Sequence, residues 1–255
     1  MRTTRLVLSV MLLLVASATM AAGFDGRVEW ARRVAMSVPV SGIVDSISVE
    51  TGQPIKKGQM LLQLEQTPFV TELVEAKAAR DQAAGGRHEA RRDYKQTKEL
   101  YDRGLISNVE LENAKLKANR ADATWKAAGA RVERAEYNLA HSRLVAPFDG
   151  WLLGRSAEVG QTIITTQQAQ TLLVIAAASE YLARAEVPGK KLRDLKIGNR
   201  ATVEVSDKSF NGVITVLGLE PVAGRKKDDA YYEVAILFNS GGELLRAGQQ
   251  AEVKF

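Results

Sequence analysis

Few side chains in this sequence could ligate a metal or act as a nucleophile, and their spacing argues against a reaction centre. There are two histidines, His88 and His141, and no cysteine. A zinc site needs three or four ligands, so the two imidazoles read as surface groups. The lack of cysteine excludes disulfides, thiolate nucleophiles and an acylated-cysteine anchor. Of the five methionines, Met1, Met11 and Met20 fall in the first twenty residues, leaving only Met36 and Met60. No serine–histidine–acid order, phosphate-cradling glycine loop or dinucleotide fingerprint occurs. The expectation is no catalytic residue, no metal ligand and no cofactor.

What the sequence does space regularly is glycine. Val38-Pro39-Val40-Ser41-Gly42-Ile43-Val44 returns 108 positions later as Ala146-Pro147-Phe148-Asp149-Gly150-Trp151-Leu152. Ten residues after each glycine comes Gly-Gln, at Gly52-Gln53 and Gly160-Gln161. Each copy then runs into an apolar segment, Met60-Leu61-Leu62 and Leu172-Leu173-Val174-Ile175. Glycine at Gly42, Gly52, Gly150 and Gly160 suits turns or close backbone approach. Between Gly42 and Gly52 apolar Ile43, Ile47 and Val49 interleave with polar Asp45, Ser46, Ser48 and Glu50, the pattern of a half-buried strand. Each half is too small to bury a core alone, and two halves around a pseudo-twofold axis predict one compact sandwich.

The stretch between the halves is rich in Ala, Lys, Arg, Glu and Gln, all good helix formers. Thr67 is the predicted N-cap, with Pro68 at the first helical position. Small or apolar residues recur every three or four positions at Phe69, Leu73, Ala76, Ala79, Ala83, Gly86, Ala90, Tyr94, Thr97 and Tyr101. A second stripe runs through Leu111, Ala114, Ala118, Ala121, Trp125, Ala128, Val132, Ala135, Leu139 and Ser142. Sustained heptads of this kind predict a coiled coil. Gly104 suits the residue after a helix end, and Ser107-Asn108-Val109-Glu110 is a capping box that starts a second helix. The short connection makes the arms antiparallel, each reaching about 50 Å. Gly85-Gly86 marks a weak point in the first arm. A rod this thin offers no pocket; it offers reach.

After Ala178 the pattern changes to short strands: Tyr181–Val187, Arg200–Val205, Phe210–Leu217, Tyr231–Phe238 and Gln249–Phe255. A short helix within Gly189–Gly198 uses Leu192 and Leu195, and the set suggests a small antiparallel barrel. Lys226-Lys227-Asp228-Asp229 reads as a solvated hairpin loop. At the other end, Arg2 and Arg5 precede an apolar run from Leu6 to Val15 and small residues up to Ala22, the pattern of a secretory signal. The run is short for a membrane span, and cleavage and retention as an anchor both remain open. The net charge of +5 comes from interspersed residues of both signs, so no nucleic-acid partner is expected.

Leu144-Val145-Ala146-Pro147-Phe148-Asp149-Gly150 and its partner half resemble the split lipoyl/biotinyl-like domain of the periplasmic adaptor, or membrane fusion protein, family of tripartite efflux and secretion systems. Leu195-Lys196-Ile197-Gly198 and Leu245-Arg246-Ala247-Gly248-Gln249 are similar to that family's β-barrel domain. The resemblance implies a mainly β, elongated chain with an inserted long antiparallel α-helical coiled-coil hairpin. The expected divisions are a signal at 1–22, a split lipoyl-like domain at 34–66 and 143–177, the hairpin at 67–142 and a small antiparallel β-barrel at 23–33 and 178–255. The membrane-proximal domain of larger members is expected to be absent.

The tip also resembles the family's channel-docking motif, in which arginine is followed by leucine four residues on and serine seven later. Leu100 and Ser107 match, and Gln96 stands in the arginine position; Gly104, Leu105 and Ile106 complete the implied docking tip. Ser107 also reads as a plain N-cap, and Leu100 as a seam residue. The family implies an inner-membrane transporter (proton-driven or ATP-driven) and an outer-membrane channel as partners, with self-association in a ring, commonly hexameric. It further implies an exported, periplasmic, non-enzymatic protein held at the inner membrane. Two other readings are a biotin or lipoate carrier-like subunit, which would need a modifiable lysine that neither Met-Lys-Met nor Asp-Lys-Ala supplies here, and a non-pump envelope spacer.

Overall fold

The computed structural model describes residues 23–165, 170–222 and 230–255. The expected export segment and the Lys226–Asp229 loop lie outside these residues. The described chain divides into two compact units, one of Trp30–Ser179 and one that joins the residues up to Glu29 with Glu180–Phe255. The division falls after Glu29, not after Arg33 as the sequence suggested. Arg33 already begins a sandwich strand, paired with Ala176, whereas β1 (Phe24–Trp30) pairs along a barrel strand.

The first unit is a sandwich of strands β2 (Arg33–Met36), β3 (Gly42–Ile47), β4 (Pro54–Ile55) and β5 (Met60–Leu64), then β6 (Arg143–Val145), β7 (Gly150–Arg155), β8 (Thr162–Ile163) and β9 (Leu173–Ala177). One sheet has the order β2-β9-β7-β4 and the other β6-β5-β3-β8. Each sheet therefore takes two strands from each repeat half, which is why neither half stands alone.

The repeat is visible hydrogen bond by hydrogen bond. Gly42 pairs with Ile163 and Ile43 with Thr162; 108 residues along, Gly150 pairs with Ile55 and Trp151 with Pro54. Val44 N–H donates to Gln161 O at 2.9 Å, and Leu152 N–H to Gln53 O at 3.0 Å. The turns match too: Gly52 has φ +89° and Gly160 φ +83°, values that carry a Cβ penalty for other residues. In each turn the Gln side chain accepts a backbone N–H three residues back, Gln53 from Glu50 and Gln161 from Glu158, both at 3.0 Å. The same turn recurs with Gln59, Asn199 and Gln249 as the acceptors. Between the sheets lie Val44, Ile55, Leu61, Leu62, Leu64, Leu152, Ile163, Leu173 and Ile175, none more than 1% exposed. Each such side chain contributes about 1.5–3 kcal/mol.

Helix α1 (Thr67–Asp102) and helix α2 (Asn108–His141) leave from β5 and return to β6. These two strands are paired neighbours, Gln63 opposite Arg143. The first helix begins one residue earlier than expected. Its N-cap is Gln66, not Thr67, because Gln66 O accepts the first helical hydrogen bond, from Val70 N–H at 3.0 Å. The Gln66 amide is spent as a clasp: Nε2 donates to Leu64 O and to Ser142 Oγ, and Oε1 accepts from Arg143 Nε at 3.1 Å. Phe69 and Leu139 pack onto the sandwich core, so the root of the rod is part of that core. The helix passes through Gly85-Gly86 without interruption.

The second unit is a closed barrel in the order β1-β10-β13-β12-β11-β14. Its further elements are β10 (Glu180–Pro188), α3 (Gly189–Leu192), β11 (Arg200–Val205), β12 (Lys208–Pro221), β13 (Tyr231–Asn239) and β14 (Gln250–Lys254). Alternate residues point inward, as in Tyr181, Ala183, Ala185 and Val187 of β10 and Val234, Ile236 and Phe238 of β13. Tyr181 is fully buried, and its hydroxyl oxygen accepts Leu245 N–H at 3.1 Å; burial pushes the phenol pKa up. Arg184 on β10 links Glu29 of β1 and Glu233 of β13 across the outer face.

Candidate functional site, the tip of the helical hairpin

The seam between the helices sets what the tip presents. All ten residues of the second-arm stripe are withdrawn from solvent, with Ala118, Ala128, Val132, Ala135 and Ser142 buried. In the first arm Phe69 and Ala90 are buried and six more are half-buried, but Gly86 and Tyr101 stay exposed. Tyr101, at 39% exposure, is therefore a surface residue and not the last seam layer expected of it. Alanine in the seam lets the two backbones approach closely.

Polar pairs fix the antiparallel register along the rod. Glu72 faces Asn138 at 3.4 Å, Lys77 faces Glu136 at 3.3 Å and Asp93 faces Lys117 at 3.3 Å. Midway, Asp122 Oδ1 accepts from Arg87 at 2.7 Å and from Arg91 at 2.8 Å, with Lys126 at 3.0 Å on the other oxygen. Lys126 and then Arg87 hold its carboxyl below the usual range. The Arg87 guanidinium also lies 3.9 Å from the Trp125 ring centroid, a cation–π contact.

At the far end the first helix closes with two reversed hydrogen bonds. Gly104 N–H donates to Tyr101 O at 2.8 Å and Leu105 N–H to Leu100 O at 3.0 Å. Gly104 has φ +73°. This is the Schellman closure, and it brings the Leu105 backbone onto that of Leu100. The next residues start α2. Ser107 Oγ accepts Glu110 N–H at 3.3 Å, and Glu110 Oε2 accepts Ser107 N–H at 2.9 Å, the reciprocal capping box read from the sequence. The hydrogen bonds from the Ser107 backbone and then its side chain lower the Glu110 pKa.

Of the expected tip residues, Gln96 and Leu100 lie one turn apart on one exposed face of α1, and Leu100 is 42% exposed, so it is not a seam residue. Leu105 is 66% exposed, Ile106 is half-buried and Ser107 is exposed. Sequence reading passed over Val109, which is 67% exposed, and Leu116 on the same side of α2 two turns on. Both fall off the heptad stripe, and that is the signal which could have found them. Leu100, Tyr101, Leu105 and Val109 gather as an apolar surface at the tip, while the other exposed large hydrophobics of the rod, Val70, Val74, Leu116 and Tyr137, lie further along the helices. His88 is exposed on α1, while His141 stacks on Tyr137 at 3.8 Å and its Nδ1 meets Tyr137 O at 2.8 Å. Among the described residues no cluster of three metal-ligating side chains exists, and no helix is long and apolar enough to cross a membrane.

Comparison with known proteins gives a consistent picture. Residues 32–175 match the domain described as "RND MFP, barrel-sandwich hybrid domain". The macrolide export protein MacA of Yersinia pestis is 27% identical over 245 residues, covering 89% of this chain and 66% of that protein. The multidrug resistance protein MdtA of Pantoea ananatis is 29% identical over 196 residues, covering 74% of this chain and 47% of its own length. The chain thus spans less than two thirds of the length of these curated relatives. The crystal structure of MacA from Actinobacillus actinomycetemcomitans shares the fold, with a TM-score of 0.69 at 22% identity over 91% of this chain and 76% of that one.

Proposed function

The chain belongs to the RND membrane fusion protein family, whose barrel-sandwich hybrid domain spans residues 32–175, and from this we propose that it is a periplasmic adaptor linking an inner-membrane transporter to an outer-membrane channel for efflux. The observation that carries the proposal is the tip: an apolar surface of Leu100, Leu105 and Val109 displayed on a register-locked helical rod. An exposed apolar patch marks an interaction site, and one at the end of a rod meets its partner at a distance. In this reading Gln96, Leu100, Gly104, Leu105, Ile106 and Ser107 dock the periplasmic end of the channel. The sandwich and barrel units pack laterally with other copies in a ring, commonly of six, that encloses a conduit. The protein is exported, sits at the inner membrane and performs no catalysis of its own. Small-molecule drugs are the first cargo to assay, since the relatives are named for macrolide export and multidrug resistance.

The test is export itself. Leu100→Asp places a charge at the apolar tip and Ser107→Arg fills the turn, while neither touches the sandwich core. Both variants should fold, reach the periplasm and lose drug resistance. Photo-crosslinkers at Leu105 and Val109 should capture the channel. Normal transport by both variants, with no crosslinked channel, would sink the docking assignment.

A further inference from the structure

At the end of β10 away from Glu180, where the chain enters the barrel from the sandwich unit, α3 crosses beside the last residues of β12. Between them is an open cleft of about 570 Å³ with Leu192, Leu217, Leu219 and Tyr232 among its walls and Lys190 and Arg193 at its rim. Leu219 is 93% exposed, and Ile197, in the turn after α3, is 67% exposed. The segment Gly189–Gly198 carries four cationic residues, Lys190, Lys191, Arg193 and Lys196, against one acid, Asp194. Lys191, Arg193 and Lys196 are exposed and have no carboxylate partner among the described residues. Glu220, beside Leu219, is the other exposed acid on this rim among the described residues.

We infer that this end of the barrel is a membrane-surface contact, with its cations on anionic phospholipid headgroups and Leu219 and Ile197 inserted among the upper acyl groups. Cations ringing protruding apolar side chains are the pattern of interfacial membrane binding. An acidic protein segment fits the same charge less well, for two reasons. A peptide groove walls in its anchor residues, whereas Leu219 stands almost wholly clear of its neighbours. The natural template for an added strand here is the end of β12, but its register with β13 breaks between Leu217 and Pro221, and bulges with proline blunt an edge against strand addition. The contact is independent of what the hairpin tip binds.

The experiment is sedimentation of the full chain with vesicles of phosphatidylcholine alone and with phosphatidylglycerol at one third. Each cation near an anionic surface is worth about fivefold in affinity, so Lys191→Gln/Arg193→Gln/Lys196→Gln should weaken binding to the anionic vesicles about a hundredfold. Binding to neutral vesicles should barely change. Leu219→Asp should weaken binding to the anionic vesicles by at least tenfold with the cations intact. The first 22 residues are identical in every variant, so any membrane affinity of theirs cancels. All substituted residues are exposed, and circular dichroism checks that each variant folds. The inference is overturned if wild type shows no preference for anionic vesicles or if the variants bind like wild type. It is equally overturned if the cleft instead takes up an acidic extended peptide that vesicles do not displace.

Discussion

Gly42 and Gly150 occupy the same place in the repeat, but a methyl group added at each would meet different surroundings. At Gly150 a Cβ would lie 2.0 Å from Ala176 O, a backbone atom of the neighbouring strand. A relaxed C···O contact is about 3.3 Å or more, so β7 and β9 would have to part by roughly 1.3 Å where Gly150 pairs with Ala177 and Trp151 with Ala176. Overpacking costs about 1–3 kcal/mol, and weakened ladder bonds add about 1 kcal/mol. The stiffer unfolded chain returns at most about 1 kcal/mol. Gly150→Ala should therefore destabilise the sandwich by about 3 kcal/mol, lowering its melting temperature by about 10 °C. At Gly42 the new methyl would meet Leu64 Cδ1 at 3.1 Å and Phe69 Cζ at 3.5 Å. Those are side-chain atoms with room to rotate, and Gly42→Ala should cost about 1 kcal/mol or less. Fluorescence is the assay, because all three tryptophans, Trp30, Trp125 and Trp151, belong to the sandwich-and-hairpin unit. Equal losses at the two positions, or a loss under 1 kcal/mol at Gly150, would refute the argument from close strand approach.

Two further outcomes follow from the tip and the barrel. The folded-state pKa of Glu110 is depressed, by the Ser107 backbone N–H first and the Ser107 hydroxyl second, so its contribution is complete above the ordinary carboxylate range and is lost as pH falls through the depressed value; amide protection at Ser107 and Glu110 should fade over that acidic window, Ser107→Ala, which keeps the backbone donor, should only reduce the pH dependence, and Glu110→Gln should abolish it. In the β11–β12 turn Ser206 and Asp207 have φ 47° and 66°, as a two-residue type I′ turn requires. Asp207→Gly should raise barrel stability by about 0.5 kcal/mol, the left-handed backbone cost relieved exceeding the entropy that glycine adds to the unfolded chain; far-ultraviolet melting checks this, and a loss of stability would contradict the turn assignment.

The features most readable from the sequence were those that repeat. Nine seam positions on α2 and Ser142 at its C-cap recur at heptad spacing because each meets the same partner face, and Gly-Gln at two matched positions marks turns that close the same hydrogen bonds. The barrel strands were legible for a similar reason, since inward Val234, Ile236 and Phe238 alternate along β13 and inward Ala251 and Val253 alternate with polar residues along β14. What escaped were decisions made by tertiary partners. Thr67 looked like the better cap, but the Gln66 carbonyl takes the first helical bond while its amide ties Ser142 and Arg143 together. Tyr101 kept the heptad spacing, yet the Schellman reversal turns the chain away after Asp102 and leaves no opposing layer. At the tip, type and spacing located Leu100 and Ser107, while Val109 and Leu116 were marked only by falling off the heptad stripe, and their degree of exposure came from the structure.

The position of the hairpin explains how so large an insertion leaves the sandwich intact. β5 and β6 are adjacent and antiparallel, the place where a tight turn would ordinarily join two strands. Helical arms of 36 and 34 residues stand there instead. Were that length a flexible loop, closing it would cost roughly 2–3 kcal/mol more than a short turn. The coiled coil avoids most of this, because its own seam holds residues 66 and 142 together independently of the β5–β6 pairing. The Gln66–Ser142 hydrogen bond at 2.9 Å lies at that junction, and Leu64 N–H donates to Ser142 O at 2.9 Å just inside it. Ser142 thus serves as the last residue of the seam and the first link of the sheet, and its complete burial is the consequence. Rod and sandwich share one continuous set of contacts at this point, with Phe69 and Leu139 on the sandwich core and Gln66 bonded to Ser142.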